Sequence, residues 1–480
     1  MYIEKYLNHI PMNSGWASEE ELTASGCVSS SWSKGAQYGG VVLYSKGDDV
    51  ICDGGSECRH SLIFGATGSG KTRLVILPSL LRTLTAKEER SLVVFDVKGE
   101  LEAHTAEVAR SRGRHFMKIN FRDPRNSDGW NPFAKVNSFF AAGAMEEGWR
   151  ALEEIMAVIF NDGDSTRTDP FWRTSCTIIF RGICDVLIRG GKPLELVSIM
   201  KLSRTIPGTK ENDDECELFR IAQRLPKDSI AHSAFNNIRY ATDGTRGNIM
   251  ACYYAYLSCL TAREDVMQMV SGNESVDFKS IGRRPTILYI SIPDDSTATG
   301  ALQALLLTQM QKELNEEAML NGGTLPVRTD IYVDELCNIR PKIPALDVAL
   351  TIARSRGMRY VLAVQSYAQL VSVYGDMAEN IAANCATWIA LAVSKDETFR
   401  SKLSALCGSN AMGDHLITPS QLALLPYGNA IVIRERCRPF YTCLTDVGEI
   451  EKREETTLLY NGNRFIRDAV VRRRKAAGAA

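Results

Sequence analysis

Hydrophobic residues are spaced along this chain in two alternating rhythms. Short, nearly unbroken apolar runs predict strands buried on both faces, as in a parallel sheet. They fall at Ser61–Phe64, Ser91–Asp96, Phe116–Ile119, Thr286–Ile292, Ile331–Val333 and Arg359–Val364. Between several of them, apolar positions recur every three or four residues, as on one face of a helix. One such helix is expected from Lys71 towards Leu84, with Pro78 kinking or restarting it. A long amphipathic helix follows Pro293-Asp294-Asp295-Ser296 and runs through Glu317, with Asp294 and Asp295 as its caps. Nearer the N-terminus, Ser18-Glu19-Glu20-Glu21 reads as a capping box that starts a short helix. Val41–Tyr44 and Val50–Cys52 read as a hairpin turned at Ser45–Asp49, and the last strands lie around Ala430–Thr445.

The alternation breaks once. After Trp130-Asn131-Pro132-Phe133 the strand runs stop, and from about Ala134 to Val270 the spacing is helical, clearest in Trp149–Phe160, Phe171–Ile188 and Ile249–Leu260. Tyr253, Tyr254 and Tyr256 on the last of these are read as core packing rather than a platform for bases. The pattern predicts an α/β domain interrupted by an all-α one. Its expected parts are an N-terminal segment 1–40, a nucleotide-binding domain in two pieces, 41–133 and 271–450, an inserted helical domain 134–270, and a tail 451–480 carrying Arg472-Arg473-Arg474-Lys475.

Charge changes this picture little. With 56 basic and 57 acidic side chains there is no global attraction to nucleic acid, so any DNA contact must be local, as in a channel. No apolar run approaches the roughly 18 residues of a membrane span, and no signal peptide is present, so a soluble chain is expected. The thirteen cysteines are scattered without zinc spacing and read as reduced, buried thiols; Cys176, Cys184, Cys252 and Cys259 lie in apolar stretches. His232 and His415 read as ordinary polar residues, and the expected metal is nucleotide-bound Mg²⁺.

The chemistry is concentrated in Gly65-Ala66-Thr67-Gly68-Ser69-Gly70-Lys71-Thr72, directly after an apolar strand. Glycines at this spacing let the loop curl so that successive N–H groups point inward at a polyphosphate. The lysine, Lys71, reaches the β/γ-phosphates, the Thr72 hydroxyl suits Mg²⁺, and the next helix directs its positive end at the same anion. Asp96 and Lys98, at the end of the next strand, either neighbour the nucleotide or merely cap and flank a helix. Downstream, Ile331-Tyr332-Val333-Asp334-Glu335 is a strand ending in an acid pair: Asp334 to hold Mg²⁺ and Glu335 to polarise a water. That pair argues for hydrolysis. In RecA-like sheets the following strand lies between the acid-pair strand and the phosphate-loop strand, which makes its terminal Gln365 a γ-phosphate sensor. Ala353-Arg354-Ser355-Arg356-Gly357 just before it offers Arg354, and less readily Arg356, as an arginine finger for a neighbouring subunit; the plain alternative is a helix C-terminus complementing its dipole.

These motifs, with Asp96-Val97-Lys98-Gly99-Glu100-Leu101, Trp130-Asn131-Pro132-Phe133, Asp169-Pro170-Phe171-Trp172, Gln365-Ser366-Tyr367-Ala368-Gln369-Leu370, Tyr374-Gly375 and Ile381-Ala382-Ala383-Asn384, resemble the coupling-protein ATPases of type IV secretion and bacterial conjugation. The likeness runs from about Ser61 to Leu406, and Gly15-Trp16-Ala17 with Glu21-Leu22 resembles the start of the family's cytosolic part. It implies a RecA-like P-loop NTPase domain with an inserted all-α domain that recognises cargo, ATP and Mg²⁺ as ligands, and a hexameric ring. It also implies delivery of relaxase-bound or single-stranded DNA, or of secreted proteins, to type IV secretion channel components. Lys71 and Thr72 would then be nucleotide ligands, Asp334 and Glu335 the Mg²⁺/water pair, Gln365 the sensor and Arg354 the finger. Typical members begin with transmembrane helices, for which there is no room before Gly15. A separate membrane-anchor subunit is therefore expected, with this chain in the bacterial cytoplasm, peripheral at the inner face of the cell membrane. The alternatives are a nucleotide-switched docking adaptor without motor activity, and a DNA translocase outside secretion.

Overall fold

The computed structural model describes residues 15–55, 57–160, 169–261, 263–272, 275–293, 299–393, 396–410 and 412–457. Their strands are β1 (Val28–Ser31), β2 (Val41–Lys46), β3 (Asp49–Asp53), β4 (Ser61–Phe64), β5 (Ser91–Asp96), β6 (His115–Asn120), β7 (Thr286–Ser291), β8 (Thr329–Val333), β9 (Met358–Val364), β10 (Thr387–Ala390), β11 (Asn429–Arg434) and β12 (Phe440–Cys443). The first three form a small sheet in the order β1-β3-β2, with the expected β2–β3 hairpin. The others form one nine-stranded sheet, β12-β11-β10-β4-β9-β8-β5-β7-β6. Every pairing from β10 to β6 is parallel, while β11 and β12 extend one edge antiparallel. Each residue of β4, β5, β7, β8 and β9 is buried, which explains their unbroken apolar runs.

The helical block is a crossover. β6 and β7 are adjacent and parallel, and the chain between them makes helices from Ala134–Ala141 to Glu264–Met269 before returning. Asn131 begins the departure: its side-chain oxygen accepts from the Phe133 amide at 2.9 Å, while Trp130 and Phe133 are buried. Asp169 caps Pro170–Arg189 by accepting from the Phe171 amide. Tyr253 is wholly buried with its hydroxyl 2.9 Å from that of Ser203, and Tyr254 bonds the Ser203 carbonyl, so both serve the core as expected. Tyr256 packs edge-on against Phe160.

Two helices differ from their sequence patterns. Lys71–Ile76 is wound wide, with the Leu77 amide bonded to the Thr72 carbonyl five residues back, and regular winding begins at Leu77–Thr85. Pro78 sits in that first turn, where its missing N–H has no partner to lose, so it restarts the helix. Gly300–Leu320 is not amphipathic at its start: Gly300 to Leu307 are all buried. It is a seam between the sheet and the helical block. Lys312 pairs with Glu154 and Lys135 with Glu316 along it, each at 2.5 Å. Asp294 and Asp295 lie outside the described residues, as do Arg472 to Lys475. The Ser18 capping box is present, while Cys176 and Cys184 are buried and Cys252 is half-buried. The side chain of Cys259 lies outside the described residues. The helix Val447–Thr457 runs across the expected boundary at 450. Among the described residues no helix is long and apolar enough to cross a membrane.

At the strand ends opposite the phosphate loop lies a buried ionic lattice. Arg359 and Arg90 both bond Asp330, all three fully buried, and Arg359 also donates to the Asp53 carbonyl at 2.7 Å. Arg434 pairs with Asp53 at 2.8 Å, and Thr387 donates to the same carboxylate. Burial alone would raise the Asp330 pKa; the charges of Arg359 and then Arg90 reverse that and hold it below the usual carboxylate range. The lattice ties β3 to β5, β8, β9, β10 and β11. Asp330→Ala leaves Arg359 buried without a carboxylate partner and Arg90 with Glu88 alone, and should lower stability by about 3–5 kcal/mol, read from the urea unfolding midpoint.

Candidate nucleotide site

The site forms where β4, β8 and β9 end side by side. The Gly65 amide bonds the Val364 carbonyl and the Ala66 amide the Ala392 carbonyl, each at 3.2 Å, so the loop entrance is pinned between β9 and the segment after β10. Gly68 and Gly70 take φ of +80° and +91°, a left-handed conformation that glycine reaches without steric strain. At Gly65 a Cβ would stand 2.3 Å from the Ser69 hydroxyl, so a larger residue there collapses the curl.

Lys71 is buried, and its ammonium donates to the Gly65 carbonyl at 2.6 Å, 3.9 Å from Glu335 Oε1. Burial pulls its pKa down against the attraction of Glu335 and Asp334. The Thr72 hydroxyl lies 3.4 Å from Asp334 Oδ2. Asp334 is buried, and its pKa is pushed up to about 7, first by burial and then by the charge of Glu335. Its Oδ1 has no hydrogen-bond partner among the described residues, and neither does the buried Ser69 hydroxyl. A carboxylate oxygen left unsatisfied beside a threonine hydroxyl is a donor set that suits a hard divalent cation. An unsatisfied hydroxyl inside the loop suits phosphate. The residues present therefore fit Mg²⁺ and a polyphosphate.

Glu335 follows Asp334 with φ +68° and ψ +56°, unusual for a side chain this large and costing about 1–3 kcal/mol. That turn brings its carboxylate towards Lys71 and within 2.8 Å of the Gln365 side-chain amide, which donates to it. The Gln365 backbone amide in turn donates to the Gln369 side chain in the helix Tyr367–Tyr374. Gln365 and Glu335 are thus in contact, and Gln365 is bonded to a helix. The sheet order puts β9 between β4 and β8, as expected.

Asp96 accepts from the Gly99 and Glu102 amides at 2.7 and 2.8 Å, so it caps the helix Glu100–Ser111. It also lies close enough to raise the Asp334 pKa, and the exposed Lys98 close enough to lower it, so the capping residue and its neighbour stand beside Asp334. Arg354 is not part of its own chain's site. It precedes β9, which spans on the order of 20 Å, while Gln365 follows it; its guanidinium, half exposed, pairs with Glu57 at 3.2 Å. Arg356 donates to the Gly323 carbonyl.

Sequence reasoning missed three residues on the other flank of the loop. Arg73 donates to both oxygens of Asp446, at 2.8 and 2.5 Å, and the Tyr427 hydroxyl donates to the same carboxylate at 2.8 Å. The only signal was that Arg73 directly follows the loop motif; nothing marked its distant partners.

The family model for type IV secretory system conjugative DNA transfer matches residues 13–422. Protein VirD4 of Agrobacterium fabrum is 24% identical over 405 residues, covering 78% of this chain and 57% of that one. A probable conjugal transfer protein TraG of Sinorhizobium fredii is 21% identical over 367 residues, covering 75% and 54%. The chain thus spans about half the length of the curated relatives it matches. The plasmid coupling protein TrwB, solved with the non-hydrolysable ATP analogue ADPNP, has the same fold, with a TM-score of 0.59 at 20% identity over 82% of this chain and 86% of that one. TrwB solved with ADP and Mg²⁺ gives 0.58 at 19%, over 82% and 86%. With a phosphate loop, acid pair and crossover helical block in one RecA-like frame, and the family match running through most of its length, this chain belongs to the type IV secretory system conjugative DNA transfer family.

Proposed function

We propose that the protein is a Mg²⁺-dependent ATPase of coupling type, which drives DNA or a nucleoprotein towards a secretion channel. The observation that carries this reading is the convergence of Lys71, Thr72, Asp334, Glu335 and Gln365 at one point from three strands. The loop amides and Lys71 would hold the phosphates, and Thr72 with Asp334 would hold Mg²⁺. Bound there, Mg²⁺ supplies neutralisation of charge on the β- and γ-phosphate oxygens. Glu335 polarises the attacking water, and Gln365, bonded to it, passes the state of the site to the helix Tyr367–Tyr374. TrwB, which shares the fold, was solved with ADP and Mg²⁺ and with ADPNP.

Family membership supports a wider role. The motor is assigned to 41–133 and 271–450, flanked by an N-terminal segment 1–40 and a tail 451–480, and the inserted 134–270 is assigned to cargo: relaxase-bound or single-stranded DNA, or a secreted protein. Type IV channel components are the receivers. A peripheral position at the inner face of the bacterial membrane, through a separate anchor subunit, fits this role. Arg354 is assigned as the finger in a hexameric ring, because it lies far from its own loop and half exposed.

Lys71→Ala should abolish nucleotide binding, whereas Glu335→Gln should bind ATP normally and turn over roughly 10²- to 10⁴-fold more slowly. Equilibrium binding beside steady-state hydrolysis checks both, and normal turnover in Glu335→Gln removes it as the base. Single- or double-stranded DNA should raise the hydrolysis rate; a rate indifferent to both would favour the docking adaptor. Arg354→Ala should be inactive alone, yet mixing it with Lys71→Ala should restore part of the rate, since a Lys71→Ala subunit can lend its arginine to the intact loop of an Arg354→Ala neighbour. Undiminished hydrolysis by Arg354→Ala would return that residue to a structural role.

A further inference from the structure

The phosphate loop has two unlike flanks. Towards β9 and β8 stand Gln365, Glu335 and Asp334, all polar. Towards β11 stands an aromatic ring. Tyr427 lies in the turn that opens β11, closed by a bond from the Asn429 amide to the Pro426 carbonyl at 3.1 Å. Its Cε2 is 2.9 Å from where a Cβ on Gly70 would stand, so the ring rests against the loop's last glycine. Although 59% exposed, it is not loose. Its hydroxyl is held by Asp446, which Arg73 and the Gly448 amide hold in turn. The ring is thus oriented by its polar tip while much of its apolar body still faces water.

The direction of a bound nucleotide follows from the loop. Lys71 reaches the β/γ-phosphates, and the cation-holding pair Thr72 and Asp334 marks the same end. The γ-phosphate therefore faces β8 and β9. The α-phosphate and nucleoside leave by the other flank, past Arg73, where Tyr427 stands. An aromatic with two side-chain torsions, already tethered, gives large contact area for little further loss of freedom.

We propose that Tyr427 is the nucleobase platform of this site, held in position by Asp446 and gripping the base by its face. Resting as it does on the nucleotide site proposed above, the assignment adds a specificity: every base offers a π-face, so adenine and guanine nucleotides are taken nearly alike.

The test is calorimetric titration of the full chain with MgATP, MgGTP and inorganic tripolyphosphate. Tyr427→Ala should weaken both nucleotides by about 5- to 100-fold and leave tripolyphosphate unchanged. Tyr427→Phe and Tyr427→Trp, which keep a ring, should retain most of the affinity. Wild-type nucleotide binding by Tyr427→Ala would overturn the platform. So would an equal loss of tripolyphosphate, which would make the ring a prop for Gly70, or a loss confined to one base. Lys71→Ala separates the two levels: it should lose all three ligands, and if it binds them like wild type, the nucleotide site itself is wrong.

Discussion

Lys71, Asp334 and Glu335 are three charged groups drawn out of water within a few ångströms of one another, and the folded chain has to make that tolerable. An isolated buried charge is costly by several kcal/mol. Here the lysine is shared between a backbone carbonyl and a carboxylate, and Asp334 meets the strain by holding its proton more tightly. The arrangement depends on strand order. Because β9 lies between β4 and β8, the carboxyl ends of three buried strands arrive together, and Gln365 comes to lie where it can bond Glu335. A single exchange of neighbours in the sheet would scatter the group.

The far ends of the same strands carry the opposite solution. There Asp330, Arg359, Arg90, Asp53 and Arg434 are buried with their partners in place, and nothing is left for a ligand to satisfy. At the loop end, by contrast, Asp334 keeps an orphaned carboxylate oxygen and Ser69 an orphaned hydroxyl. The left-handed backbone at Glu335 belongs to this contrast, since strain at a site is sustained by the well-packed strands on either side of it.

Much of this was legible beforehand because it is local. A strand buried on both faces writes an apolar run, and a polyphosphate cradle writes glycines at fixed spacing. Those two signals located β4 to β9 and the loop, and the loss of the first marked the helical block. Contacts made by the fold alone left no such trace. The first turns of Gly300–Leu320 looked amphipathic but lie between sheet and helices, so their polar positions, such as Gln303, are buried too. Tyr427, Asp446 and Arg73 meet only because β11 and β12 extend the sheet on the loop's far flank. Arg354 could be named from its place before a glycine cap, yet only the length of β9 shows that it cannot serve its own loop.

The two ends of the helical block meet: the Trp130 amide bonds the Met269 carbonyl at 3.3 Å and the Val276 amide the Gly129 carbonyl at 3.0 Å, so its attachment points are close together. A module joined this way can change length or identity without altering the register of a single strand. The length of the insert is thereby uncoupled from the geometry of the sheet that holds the phosphate loop, provided any replacement still seats itself along the Gly300–Leu320 helix.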